Sequence, residues 1–301
     1  MESKRELISY LNNISILLLG ILFFAFPILF VNFTTDFFIL PKQILLGGVV
    51  LVSLLIFAAK MIAEGSVRLR RTFFDLPIIL FALFVFLSSI FAVNRFDSLI
   101  AFVPLLFAIF AFFIIVNAVR NQKALLLLIV SLLLSGTVVS AISIFSFFKI
   151  YLIPFAITQT QTFTPLGSLL DQAIILGLLL PIALYFVWPR KESVESKPIT
   201  NMAEKLGLTA ISIILLIGFL LILYEIFNPP TPGQRLILLP FDAGFQTAFA
   251  AMSQDTGRLL AGFLFGSGFG TYITDFTRFK QAAFNQDQVL WALTFVRSSS
   301  F

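Results

Sequence analysis

The chain has 301 residues, 59% of them hydrophobic and 12% charged, with a formal net charge of +5 and neither cysteine nor histidine. Without those two residue types there are no disulfides, no thiolate or imidazole metal ligands, and no Ser/His or Cys/His nucleophilic pairs. Any chemistry rests on Arg, Lys, Asp, Glu, Tyr, Ser, Thr or the backbone.

A hydrocarbon core of about 30 Å takes about 20 helical residues to cross, and a helix satisfies its own backbone groups where no water is available. Apolar runs of that length predict spans over residues 11–33, 38–62, 74–93, 98–119, 125–151, 169–188 and 206–227. Lys4 and Arg5 precede the first run, as in a signal peptide, but the run is longer than a signal core and has no small-residue cleavage site, so it reads as a retained anchor. The fold class is all-α: a polytopic transmembrane helix bundle of about seven spans over residues 1–228, followed by an extracytoplasmic region over 229–301.

Orientation follows from Lys and Arg, which are retained on the cytoplasmic side. With the N-terminus inside, the cytoplasmic segments carry Lys4, Arg5, Lys60, Arg68, Arg70, Arg71, Arg120, Lys123, Arg190, Lys191, Lys197 and Lys205, against only Lys42, Arg95 and Lys149 in the short outer connections. The positive charge therefore calls for membrane lipids and not a nucleic acid: Arg68, Arg70 and Arg71 with Lys60 form a cluster suited to anionic headgroups.

Helices three and four offer little to a wide aqueous path, since Ser88 and Ser89 are the polar residues between Leu76 and Val93. The loop over 189–205 mixes both charge signs and reads as a connector. The connection over 151–168 carries Thr158, Gln159, Thr160, Gln161, Thr162 and Thr164 before Pro165 and Gly167. Asp171 and Glu225, close to outer helix ends, are the carboxylates nearest the hydrocarbon, and ionisable groups there are candidates for function.

After the seventh span, Pro229, Pro230, Pro232 and Gly233 stop the helix. Phe241, Phe245, Phe249 and Met252 then fall on one face of an amphipathic helix suited to the interface or to packing over the bundle. Arg258 precedes the string GSGFG at 266–270. A nucleotide-binding glycine loop needs a strand before it and a βαβ unit around it, for which the residues give no signal; a tight turn, with or without an anion at its N–H groups, fits instead. Tyr272, Asp275, Phe276, Arg278, Phe279, Lys280, Phe284, Trp291 and Arg297 follow, cations interleaved with aromatics. Guanidinium groups hold phosphate oxygens and aromatic rings stack on sugars, although lipid headgroups and interfacial anchoring account for the same residues.

The order of these features resembles the O-antigen ligase and polymerase superfamily of bacterial envelope glycosyltransferases. The matching pieces are FFILPKQILL, DLPIILFALFVFLSSIFAVNRFDSL, TFTPLGSLLDQAIILGLLLPIAL, and LLAGFLFGSGFGTYITDFTRFKQAAFN with WALTFVRSSSF. The resemblance implies a multi-pass enzyme of the bacterial cytoplasmic (inner) membrane that works at the outer face without cofactor or metal. It transfers or polymerises an undecaprenyl-diphosphate-linked glycan onto a glycan, lipid or protein acceptor. Arg278 matches the family's basic residue after the glycine turn, with Lys280 beside it; Arg297, Arg258 and Trp291 are further substrate-binding candidates. Three departures stand out. No arginine lies in the connection before the sixth span, Ser298, Ser299 and Ser300 occupy the place of the family's histidine base, and members continue through further helices, so residues 229–301 read as the start of an incomplete second half. A carboxylate such as Asp275 could replace the histidine as general base. The residues alone leave open a lipid or solute carrier or flippase, or a noncatalytic membrane scaffold.

Overall fold

A computed structural model describes residues 2–34, 36–67, 69–187, 202–229, 241–253, 257, 259–280 and 282–286. Regular structure among them is helical throughout: α1 (Glu2–Ile28), α2 (Ile39–Glu64), α3 (Asp75–Ile90), α4 (Arg95–Ala118), α5 (Gln122–Phe147), α6 (Leu169–Val187), α7 (Met202–Phe227), α8 (Phe241–Ser253), α9 (Leu259–Phe265), α10 (Tyr272–Phe279) and α11 (Ala283–Gln286), with one 3-10 turn at Ala156–Thr158. The chain is a polytopic helical membrane protein. Among the described residues, α1, α2, α4, α5, α6 and α7 are long and apolar enough to cross a bilayer, six rather than seven. The difference is α3: its 16 residues reach only about 24 Å at the α-helical rise. Thr72 and Asp75 fold onto each other at its start, where the Thr72 N–H donates to Asp75 Oδ2 at 2.8 Å, and the helix ends one residue short of Phe91.

Contacts divide the chain into two compact units, one of residues 1–68 and 114–235 and the other of 69–113 and 236–301. In the first, α1 packs on α2 and α5, and α5, α6 and α7 pack on one another. Leu133, Leu176, Leu179, Ala183 and Leu215 form the core of that three-helix junction. Small residues bring the backbones together: a Cβ on Gly136 would lie 2.5 Å from Leu179 Cδ1, and one on Gly218 would lie 2.6 Å from the Ser140 side chain. In lipid, where apolar surface is no driving force between helices, such close approach is what holds them. Buried Gln172 of α6 and Ser143 of α5 add a polar tie, with Gln172 Nε2 donating to Ser143 Oγ at 2.9 Å.

Helix ends in this unit are fixed by side chains. Asp36 Oδ1 accepts from the N–H groups of Phe38 (3.0 Å) and Ile39 (2.9 Å) at the start of α2, and Asn121 Oδ1 accepts from Ala124 N–H (2.7 Å) at the start of α5. Lys60 departs from its expected place among headgroup-facing cations. It is 4% exposed, and its Nζ donates to Asn12 Oδ1 at 2.6 Å, while Asn12 Nδ2 donates to the Ala118 carbonyl at 3.1 Å. The ammonium ties α1 to α2 because a buried cation needs an acceptor.

In the second unit, α9 packs on α3, and α8 packs on α9 and α10. The amphipathic helix α8 runs where its periodicity places it, but with the aromatic face outward. Phe241, Phe245 and Phe249 are exposed, while Ala243, Gly244, Thr247 and Ala251 are buried. Small residues allow the close contact with α10, where Ala243 and Phe276 form a core joined by Tyr272 and Phe284.

Candidate functional site

The glycine turn at 266–270 lies between α9 and α10 and is anchored through its carbonyls. Ser88 Oγ donates to the Phe265 carbonyl (2.7 Å), Val93 N–H to that of Ser267 (2.8 Å), and Ser98 Oγ to that of Phe269 (2.8 Å). The rings of Phe91 and Phe265 stack at 4.8 Å beside them. Ser88 and Ser98 thus use their hydroxyls to hold the turn, and Ser89, wholly buried, donates to Val85 O within α3 at 2.9 Å.

Two glycines are required by space as well as by backbone. Gly268 (φ +130) and Gly270 (φ +74) lie in the left-handed region, and a Cβ on either would come within 2.5 Å of Ala92 Cβ and 2.4 Å of Ala101 Cβ respectively. With no strand on either side, the turn is not a nucleotide loop.

Asp275 closes this turn. It is 3% exposed, and its Oδ2 accepts from the Ser267 hydroxyl and, at 3.5 Å, from Thr271 Oγ1, which also donates to Gly268 O at 2.8 Å. Burial pushes the carboxyl above the usual aspartate range, opposed by the Ser267 hydroxyl, the Arg278 charge and the Thr271 hydroxyl. The carboxyl is engaged in clamping the turn, and service as a base for an acceptor hydroxyl would require it to release those donors.

Arg278, in the last turn of α10, is exposed, with its guanidinium 5.1 Å from the Phe279 ring. The Lys280 ammonium lies 6.0 Å from the ring of Phe276. Asp275 and Arg278 are therefore carried by one short helix, with Lys280 as the residue that ends it. Arg258, Trp291 and Arg297 lie outside the described residues, as do Ser298, Ser299 and Ser300. A groove of about 430 Å³ borders the same turn, between Phe81, Phe84 and Ser88 of α3 and Phe265, Gly268 and Phe269. Its wall is aromatic and aliphatic, with backbone at the turn.

In the first unit, the connection before α6 acquires the cation that its own sequence lacks. Lys42, in the first turn of α2, is 7% exposed and donates from Nζ to the Pro165 carbonyl at 2.8 Å. Its ammonium lies 5.9 Å from the Phe38 ring, and Asp171 and Asp36 are its electrostatic partners. Thr158 Oγ1 donates to the Ile153 carbonyl (2.6 Å) and Gln161 Nε2 to that of Phe147 at the end of α5 (3.1 Å), so these two side chains turn to backbone, whereas Gln159 and Thr160 are exposed. The signal for Lys42 was a lysine inside an apolar run with no acidic residue three or four places away, which forces a partner from elsewhere in the chain. Glu225 of α7 is 2% exposed, within the α7 face that also buries Leu215 and Ile222. Comparison of the chain with protein-family models, curated proteins and solved structures gives no match.

Proposed function

We propose that the protein is a membrane glycosyltransferase of the O-antigen ligase and polymerase type, which transfers glycan from an undecaprenyl-diphosphate carrier at the outer face of the bacterial cytoplasmic membrane. One observation carries this reading: a single anchored glycine turn has an apolar groove on one side and, leaving from its other end, a short helix that presents the exposed guanidinium of Arg278. An amphipathic ligand with a long hydrocarbon and an anionic head has both parts recognised by such a juxtaposition. The guanidinium forms paired hydrogen bonds to phosphate oxygens. In transfer, the bond between the anomeric carbon and the phosphate oxygen breaks as the acceptor oxygen bonds that carbon, the acceptor proton leaves to a base, and the diphosphate departs with added charge. A fixed cation stabilises that charge where it develops.

The test is transfer of a labelled lipid-linked glycan in membranes carrying the intact protein. Arg278→Ala is expected to lower transfer by about 10²–10³-fold, the usual loss on removing one group aimed at developing charge. Arg278→Lys, which keeps the charge but not the fork, recovers part of it. Unchanged transfer in Arg278→Ala at equal protein level counts against the reading, and lipid translocation that survives the substitution would assign the chain to carriers.

A further inference from the structure

Glu225 takes no part in the proposed transfer, and its surroundings are unusual for a carboxyl. It lies in the last turn of α7 on the face that packs against α5 and α6, and it is 2% exposed. Its Oε1 is buried with no hydrogen-bond partner among the described residues. The level of the group in the bundle follows from the register. Gly218 faces Ser140 of α5, and about two helical turns further on the rings of Phe147 and Tyr224 meet at 6.2 Å. Glu225 therefore sits beside the last turn of α5, above the Gln172–Ser143 tie.

Among the described residues, the elements that pack on α7 offer it no compensating cation. On α5, Ser140 faces Gly218 of α7 and Phe147 meets Tyr224, while Ser143 is tied to Gln172 of α6; Ser140, Ser143 and Gln172 are buried, and none of these residues is charged. The ionisable groups nearest in sequence on those elements are Asp171 in the first turn of α6, which lies within reach of the Lys42 ammonium, and Lys149 just beyond α5, which is exposed. An ionised carboxylate held in an apolar seam without a cation or a full set of donors is too costly to persist, and such a group takes up a proton instead.

We propose that Glu225 is a proton-binding site inside the membrane bundle, and that its bound proton holds the α5–α6–α7 seam closed. Loss of the proton leaves a charge that only water can stabilise, so ionisation and parting of the seam at the outer turn of α5 are one event. The ligand is a proton. The consequence is a packing equilibrium between these helices that shifts toward the open form as pH rises, because the closed form is the one that binds the proton.

Two measurements on the full chain in lipid nanodiscs test this. The first is infrared: the carbonyl stretch of a protonated carboxyl is expected at neutral pH in the wild type, absent in Glu225→Gln and shifted in Glu225→Asp. The Asp variant keeps the assignment decidable if the Gln variant does not fold. The second uses the natural absence of cysteine. Ser143→Cys places one thiol in the seam, where Ser143 meets Gln172 of α6, and its rate of maleimide labelling is divided by the rate in the Ser143→Cys/Glu225→Gln protein at the same pH, which cancels the thiol's own ionisation. The ratio is expected to rise with pH, approaching about tenfold per unit for one linked proton. Absence of the Glu225 band overturns the proton site, and a ratio that stays flat across the pH range where the band is lost overturns its coupling to the seam.

Discussion

At the residue scale, the glycine turn separates two costs that are usually confounded. Gly266 has φ +71 with nothing within 4 Å of the place a Cβ would take, whereas Gly270, at φ +74, would drive that atom to 2.4 Å from Ala101 Cβ. Gly266→Ala therefore costs backbone strain alone, about 1–2 kcal/mol, while Gly270→Ala adds an overpacking cost of about 1–3 kcal/mol. Thermal unfolding of the two variants should place Gly270→Ala clearly lower, and equal midpoints would mean that α4 yields to the added methyl. Asp275 supplies a second prediction at this scale. Its folded-state proton affinity is raised by burial, so the folded protein binds that proton more tightly than the unfolded chain does. The stability this group contributes is full below its unfolded value of about 3.9 and is lost as pH rises through the folded value. Asp275→Asn keeps an acceptor for Ser267 and Thr271 but does not titrate, so its unfolding midpoint should lack that part of the pH dependence; parallel profiles would show that the carboxyl is not the group responsible. That Arg278 and Lys280 fall close together among aromatic rings was legible, because that spacing is local. The clamping role of Asp275 was not, because it depends on which hydroxyls a turn folds back, and Ser267 gave no sign of being chosen.

At the element scale, the spans were readable because crossing a bilayer demands a length and an apolar content that few other structures need. What the sequence could not show was pairing. Lys42 finds its acceptor 123 residues away, and Ser98 finds Phe269 across 171; neither pair leaves a periodic trace. The same reason hid the second unit, in which α3 joins helices from the far end of the chain. The Lys42 contact makes the connection over 151–168 depend on α2. Lys42→Met preserves bulk but removes the donor, leaving the buried Pro165 carbonyl unpaired at a cost of about 1–3 kcal/mol. Hydrogen exchange should then quicken at the Phe163 and Gly167 amides, which bond to Thr160 and Thr164 within that connection, by about tenfold for each 1.4 kcal/mol lost. Unchanged exchange there would mean that the connection holds itself.

At the scale of the whole molecule, the question is whether the short helix α3 crosses the membrane. Its 16 residues fall about 6 Å short of a typical core by length, a mismatch that local thinning and flanking residues absorb at fractions of a kcal/mol per Å. Charge decides the matter more strongly than length. If α3 crosses, the cytoplasmic segments hold twelve Lys and Arg against three in the short outer connections. If it does not, every later connection changes sides: Arg95 and Lys149 move inside, while Arg120, Lys123, Arg190, Lys191, Lys197 and Lys205 move outside, and the ratio collapses to eight against seven. Since retention of cations on the cytoplasmic side sets orientation, the expected outcome is seven crossings, with α3 as the shortest. An odd number places the N-terminus and Asn228 on opposite sides, and an even number places them together. Because the chain has no cysteine of its own, Lys4→Cys and Asn228→Cys can be read singly with an impermeant maleimide on intact cells. Labelling of Asn228→Cys alone establishes the crossing of α3 and puts the segment that follows α7 outside; equal behaviour of the two positions would show α3 lying along one face, with the glycine turn on the cytoplasmic side and the glycosyl-transfer reading without access to its donor.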